Sequence, residues 1–433
     1  MTLIVKILSH CQTKEHRKII ENFFSLTLLQ GLNYILPLVT FPYLVRVLGA
    51  EKFGLIAFSQ AYITYFMIVV DYGFNMSGTR EISINKGDKQ KIVEIFNAIV
   101  TAKIFLMCLS FLVLCITIFF IPKFTQHWPV YLLSFGMVIG NVIFPVWFFQ
   151  GMQEMKYITL LNFLAKIIFT VFIFVIVTKE ADYYYVPLLN SLGYVIAGIL
   201  SLWLVIKRYS IGFLRIPRKY VAQTLRDGWH LFVSRISISL YTVTNSFILG
   251  LFDSLAVVGF YVAADKIVRA SMNLLAPVYQ SLYPYISEKA FISRERTLEN
   301  LTKLLKITGL IGVVLSVLFV IFAKQIVLVV LGEQYLEAVS VMRILAFIPF
   351  VVTIASVFAN LTMIPFKLDR YLMRIYVIGV FINILMIVIF VGVLKMRADG
   401  AALANIITEI ALTIFMFYVL VKHKINFLEY LRK

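Results

Sequence analysis

Twelve stretches of this chain are almost wholly apolar and run for about 20 residues or more, a length that a bilayer requires and a soluble core does not. They fall at 22–45, 54–76, 97–121, 129–150, 157–178, 184–206, 229–252, 255–284, 304–330, 339–364, 371–394 and 400–421. As helices rising 1.5 Å per residue, each crosses about 30 Å of hydrocarbon. Helix is the only sensible choice, because lipid offers no partner to an open backbone and no alternation typical of barrel strands is present. The fold class expected is therefore an all-α integral membrane protein with twelve transmembrane helices.

Composition agrees. Of 433 residues, 61% are hydrophobic and 14% charged, against about half and about a quarter in a soluble chain. That excludes a soluble enzyme, a disordered chain and a secreted disulfide scaffold. Cys108 and Cys115 share one apolar block and Cys11 lies near the start, which is no disulfide framework. Residues Met1 to Ile20 lack a continuous apolar region followed by a small-residue cleavage site, so an interfacial helix is expected there rather than a removable signal peptide.

The formal charge of +18 would suggest nucleic acid in a soluble protein, so its location decides its meaning. With both termini cytoplasmic, the cytoplasmic segments hold 27 Lys and Arg and the opposite side holds seven. Counting acids, the net charge is about +15 inside, zero outside and +3 within the spans. Most of the charge is thus an orientation signal facing anionic headgroups, not a nucleic-acid patch. The expected layout is a cytoplasmic segment 1–21, a six-helix bundle 22–206, a basic cytoplasmic linker 207–228, a second six-helix bundle 229–421 and a cytoplasmic tail 422–433. Phe53-Gly54-Leu55 resembles Val258-Gly259-Phe260 at an offset of 205 residues, a weak internal repeat. A two-fold pseudo-repeat is the usual build of a secondary transporter, with a central cavity between the halves.

Catalytic and nucleotide motifs are missing from the sequence. There is no G-x-x-x-x-G-K-[ST], H-E-x-x-H, C-x-x-C or G-x-S-x-G, and no D-x-D pair for a metal-bound sugar nucleotide. The loops are too short to fold as catalytic domains, so neither an enzyme nor a cofactor is expected.

What remains is a set of charges inside the spans, which cost roughly 2.5–3.5 kcal/mol each at helix centre and so usually face water or a ligand. The cations are Lys103, Lys166, Arg235, Lys266, Arg269 and Arg343; the acids are Asp71, Asp265 and Glu409. Lys266, Lys166 and Glu409 lie nearest the midplane. Arg235 and Lys103 are shallower, with snorkelling to the headgroups as the competing role. Asp71 and Arg343 sit near helix ends and read as caps or anchors. Asp265 and Arg269, spaced i, i+4, can pair on one helix face and leave Lys266 uncompensated. A surplus of cations favours an anionic cargo, for which Lys266, Arg235, Lys166, Arg269 and Lys103 are the candidate ligands. Asp265 and Glu409 are the candidates for a coupling proton or Na⁺.

Arg46-Val-Leu-Gly49 followed by Phe53-Gly54, then Asp71-Tyr-Gly-Phe-Asn75 and Arg80-Glu81, resemble the amino half of polysaccharide-transport flippases. Trp147-Phe-Phe-Gln-Gly151 and Leu331-Gly332-x-x-Tyr335-x-x-Ala338 fit the same pattern. Over nearly its whole length the chain resembles the Wzx-type O-antigen flippases of the multidrug/oligosaccharidyl-lipid/polysaccharide exporter superfamily. The resemblance implies two six-helix bundles around a central cavity. It also implies movement of undecaprenyl-pyrophosphate-linked oligosaccharide across a bacterial inner membrane, with an O-antigen polymerase and a chain-length regulator as possible partners beside the membrane lipids. The alternatives are a flippase for another exopolysaccharide or for teichuronic acid, an exporter of cationic drugs, which the intramembrane cations disfavour, and an O-antigen polymerase or ligase, which would be expected to carry a large external loop.

Overall fold

The computed structural model describes the backbone of residues 14–214, 216–273, 275–425 and 427. The side chains of 14–35, 37, 38 and of scattered positions between 227 and 291 lie outside that description, Arg235 among them. The described residues are helical and contain no strand. Nine helices among them are long and apolar enough to cross a membrane, and Val243–Phe252 is a shorter apolar helix. The protein is a multi-pass membrane protein.

The chain divides into two compact units, one of Met1–Phe41 with Tyr62–Ile236 and the other of Pro42–Ala61 with Ser237–Lys433. The linker 207–228 therefore falls wholly in the first unit, and the boundary at 236–237 lies inside a helix. Asn97, 3% exposed, fastens this linker: its amide donates to the Gly212 carbonyl at 2.9 Å and its oxygen accepts from the Leu214 N–H at 3.0 Å.

The stretch α1 (Lys14–Asp71) is two helices joined across a break at Gly49, whose φ of 70° suits a residue without a β-carbon; its residues 42–61 belong to the second unit and the rest to the first. Tyr72 and Gly73, both left-handed, separate it from the short α2 (Phe74–Ile84). Next come α3 (Lys89–Phe120), α4 (Trp128–Ile143), the short α5 (Val146–Met152), α6 (Met155–Ile176) and α7 (Tyr185–Tyr209). The apolar runs 54–76 and 129–150, expected to be continuous, are thus each interrupted near one end. Pro145 accounts for the second break, since it lacks the N–H that would continue the ladder.

Lipid tails are as apolar as leucine, so close approach and polar contacts must hold membrane helices together. The α4–α7 pair shows how. A β-carbon on Gly140 would lie 2.4 Å from the Tyr194 backbone, and one on Gly198 would lie 2.3 Å from the Ile143 side chain. Ser191 donates to the Leu133 carbonyl across the same seam. Helix α3 carries exposed apolar residues such as Phe105, Leu109 and Phe119, as a lipid-facing helix should.

In the second unit, α8 (Arg218–Phe252) enters from the first and is followed by α9 (Leu255–Asn273) and α10 (Ala276–Ile292). The run 255–284 is therefore two helices, not one. Then come α11 (Arg294–Ile326), α12 (Ala338–Leu345), α13 (Ile348–Ser356), α14 (Asp369–Ile387) and α15 (Arg397–Lys422). A core of Leu301, Leu361, Met363, Leu412, Met416 and Leu420 is almost wholly buried among them.

Candidate functional site

The sequence motifs that carry the family resemblance meet in pairs inside each unit. In the second unit, the Arg46 guanidinium donates to the Val329 carbonyl, and the Gln334 amide donates to the Arg46 carbonyl at 3.0 Å. The Arg46–Gly49 motif is thereby clamped to the Leu331–Ala338 motif. Tyr335 is fully buried there, edge-on to Phe260 at 5.8 Å between ring centroids. Burial pushes its phenol well above the usual tyrosine range. In the first unit, the Thr79 hydroxyl of α2 donates to the Trp147 carbonyl of α5 at 3.2 Å. Gly78 lies so close to the Trp147 ring that an added β-carbon would sit 3.0 Å from it. These motifs are structural clamps between short or bent helices.

The repeat-related glycines also meet within the second unit. A β-carbon on Gly54 would lie 1.8 Å from the Leu255 carbonyl oxygen, and one on Gly259 would lie 2.1 Å from that of Ala50. Residues 42–61 thus lie directly on the start of α9, backbone to backbone.

About two to three turns beyond Gly259 on α9 are the charges. Lys266 is exposed, although it lies 11 residues after Leu255 in an apolar helix. Its ammonium stands 5.2 Å from the centroid of the Phe53 ring, a cation–π distance. Asp265 accepts from the Arg269 Nε at 2.8 Å through one oxygen and 2.9 Å through the other. The structure therefore forms the expected i, i+4 pair and leaves Lys266 directed to an aromatic face instead. Below it, Asn405 of α15 donates to the Tyr261 hydroxyl at 3.1 Å, with Asn245 on the same hydroxyl. Glu409, one turn from Asn405, is 7% exposed and within electrostatic reach of Tyr376. Thr408 beside it accepts from the Asn383 amide at 3.3 Å. The two candidate coupling acids thus border one buried polar seam formed by α8, α9, α14 and α15.

The first unit holds Lys103 and Lys166. Lys166 is half-buried in α6. Lys103 is only 2% exposed. Its ammonium donates to the Asn141 carbonyl at 2.9 Å and to the Asn141 side-chain oxygen at 3.3 Å, and it interacts electrostatically with Asp71. The side chain of Arg235 lies outside the described residues. Among the described residues, no group of His, Cys, Asp and Glu could hold a metal ion. Apolar periodicity had no means of finding Phe53, Tyr261, Asn405 and Asn141, since each is significant only through a partner more than 35 residues away; Phe53 alone carried a signal, as part of the repeat.

Known proteins bear on this arrangement. The polysaccharide biosynthesis protein family matches residues 19–290. A protein of Escherichia coli strain K12, provisionally named an O-antigen transporter, is 31% identical over 92% of this chain and 95% of its own. A protein of Shigella dysenteriae under the same provisional name is 26% identical over 92% and 98%. Among solved structures, the lipid II flippase MurJ in an inward closed conformation has a TM-score of 0.66 at 14% identity, covering 95% of this chain and 89% of that one. An inward-facing multidrug resistance MATE family transporter of the MOP superfamily has a TM-score of 0.64 at 14% identity, covering 90% and 94%. At such identities the two structures speak for the fold alone, whereas the family match and the 31% relative reach further. The chain belongs to the polysaccharide biosynthesis protein family and is a membrane transporter, not an enzyme.

Proposed function

We propose that this protein is a flippase that carries undecaprenyl-pyrophosphate-linked O-antigen repeat units from the cytoplasmic to the periplasmic leaflet of the bacterial inner membrane. The observation that carries the reading is Lys266, an exposed cation deep in an apolar helix and set against an aromatic ring. The pyrophosphate is anionic and the glycan polar, so neither crosses hydrocarbon unaided. Ammonium and guanidinium groups of Lys266, Arg269, Lys166 and Arg235 would attract the pyrophosphate, and aromatic faces such as Phe53 suit a sugar ring. The polyprenyl tail stays in lipid.

Both termini are cytoplasmic in this reading, which the 27 to seven division of basic residues supports. Alternating access lets the halves move around the cargo. Asp265 and Glu409 carry the coupling proton or Na⁺, supported by their place along the buried seam of asparagines and tyrosines. A polymerase and a chain-length regulator act on the delivered units.

Deleting the gene tests this reading. Surface polymer is expected to disappear while single lipid-linked repeat units accumulate on the cytoplasmic leaflet. Accumulation of units already facing the periplasm would point to a polymerase step instead. A flippase for another exopolysaccharide differs only in the glycan that accumulates.

A further inference from the structure

We propose that Lys103 is a positioning residue that joins the two interrupted helices of the first unit, and not a ligand of the cargo. The inference rests on the flippase reading only where transport is the readout.

The geometry begins with Pro145. In an unbroken helix the Asn141 carbonyl would accept from the N–H of residue 145, four positions on. Proline has no N–H, so this carbonyl is released at membrane depth, where an unmet backbone group is costly. Lys103 fills the gap from a neighbouring helix: its ammonium donates to that carbonyl at 2.9 Å and to the same residue's side chain at 3.3 Å. The end of α4 is also the negative pole of a helix dipole, which a cation stabilises.

The second interruption lies within electrostatic reach of the same ammonium. Asp71 is the last residue of α1, directly before left-handed Tyr72 and Gly73. Its carboxylate interacts electrostatically with Lys103 and accepts from the Asn75 amide of α2 at 2.7 Å. Lys103 therefore bridges the end of α1 to the end of α4. The two short helices that follow the breaks, α2 and α5, are themselves packed together through Gly78, Thr79 and Trp147. One buried cation thus fixes two breaks and the paired helices beyond them as a single body.

A cargo ligand would have to offer its charge to an incoming pyrophosphate. Lys103 is 2% exposed, its ammonium already donates to two oxygens of Asn141, and Asp71 lies within electrostatic reach. Lys266 is exposed, with its ammonium set against the face of the Phe53 ring.

Two measurements decide the matter. The first is amine acylation of the wild-type protein in membrane vesicles by a small water-soluble reagent, read by mass spectrometry. Lys103 is expected to stay unmodified while the protein is folded and to react once it is denatured. Modification of folded Lys103 at the rate of Lys266 overturns the proposal, whatever the cargo proves to be. The second compares K103M, D71N and the double variant D71N/K103M for folded yield and for translocation per folded molecule. Removing one member of a charge pair that includes the buried Lys103 leaves the other less compensated, whereas removing both is better tolerated. K103M is expected to lose about tenfold in translocation per folded molecule, and D71N/K103M to regain part of that loss but not all of it, because the Asn141 carbonyl still lacks its donor. Recovery of folded yield without recovery of translocation would make Lys103 a cargo contact and overturn the proposal. So would a K103M protein equal to wild type in both readouts. If the flippase reading itself fails, translocation is absent in wild type too, and the acylation result still decides the role of Lys103.

Discussion

Gly259 lies against Ala50 so closely that a β-carbon on it would come within 2.1 Å of the Ala50 carbonyl oxygen. Gly54, its counterpart at the offset of 205 residues, meets the Leu255 carbonyl in the same way. The two glycines are the reason why residues 42–61 can seat on α9. Either Gly54→Ala or Gly259→Ala is expected to displace that seat and to lower the melting temperature of the purified protein. Gly309→Ala is the contrasting control, because nothing lies within 4 Å of its added β-carbon. There the change should be neutral or should stabilise α11 by roughly 0.5–1 kcal/mol through helix propensity. Equal melting of all three variants would contradict the close packing.

Lys266→Ala and Arg235→Ala are expected to cut translocation of the lipid-linked cargo while protein levels stay normal. An exposed lysine contributes little to stability, so a loss of function at normal abundance is the expected signature. Quantitative immunoblotting beside a leaflet-resolved assay of the cargo checks it. Full activity in both variants would remove these cations from the transport path.

Arg269→Ala should behave differently from Lys266→Ala. It strips Asp265 of the guanidinium that holds both its oxygens. Leaving a half-buried carboxylate without that partner costs on the order of 1–3 kcal/mol. A fall in melting temperature is therefore expected alongside lost transport, and Asp265→Asn in the Arg269→Ala background should restore part of it. No drop in melting would mean that the pair does not stabilise α9.

If Glu409 binds the coupling ion, Glu409→Gln should leave a folded protein whose transport no longer responds to a proton or Na⁺ gradient. Asp265→Asn makes the same prediction independently. The check is transport in energised vesicles with and without each ionophore. A variant that keeps the wild-type response takes its residue out of the coupling scheme.

Asn97→Ala is expected to loosen the linker without touching the charged sites. It removes the hydrogen bonds to Gly212 and Leu214, each worth about 1 kcal/mol. Limited proteolysis should then cut near 212–214 faster than in wild type, and unchanged cleavage would show that the linker is held by other contacts.

The helical, membrane-spanning character of the chain was legible in its sequence because apolar run length answers directly to bilayer thickness. The i, i+4 pairing of Asp265 with Arg269 was legible for a similar reason, since helix geometry alone brings such residues together. The interruptions at Tyr72-Gly73 and Pro145 were not. Hydropathy runs straight through Tyr72-Gly73 and Pro145, and the breaks matter only because α2 and α5 find each other afterwards. Asp71 read as a helix-end residue, and it is one; its tie to Lys103 depends on tertiary packing that no spacing reveals. Lys103 and Lys266 look alike as lone cations in apolar helices. What separates them is a proline in another helix for the first and a phenylalanine in another helix for the second.

The central claim is that this protein moves an anionic, glycan-bearing polyprenyl lipid between leaflets. The most direct measurement is reconstitution of the purified protein in liposomes carrying a labelled undecaprenyl-pyrophosphate-linked repeat unit, with a membrane-impermeant reagent reporting the exposed leaflet. The expected result is that wild-type protein, given its ion gradient, makes the sheltered cargo accessible, whereas protein-free liposomes and Lys266→Ala liposomes do not. Exposure at the protein-free rate, under proton and Na⁺ gradients alike, would contradict the account.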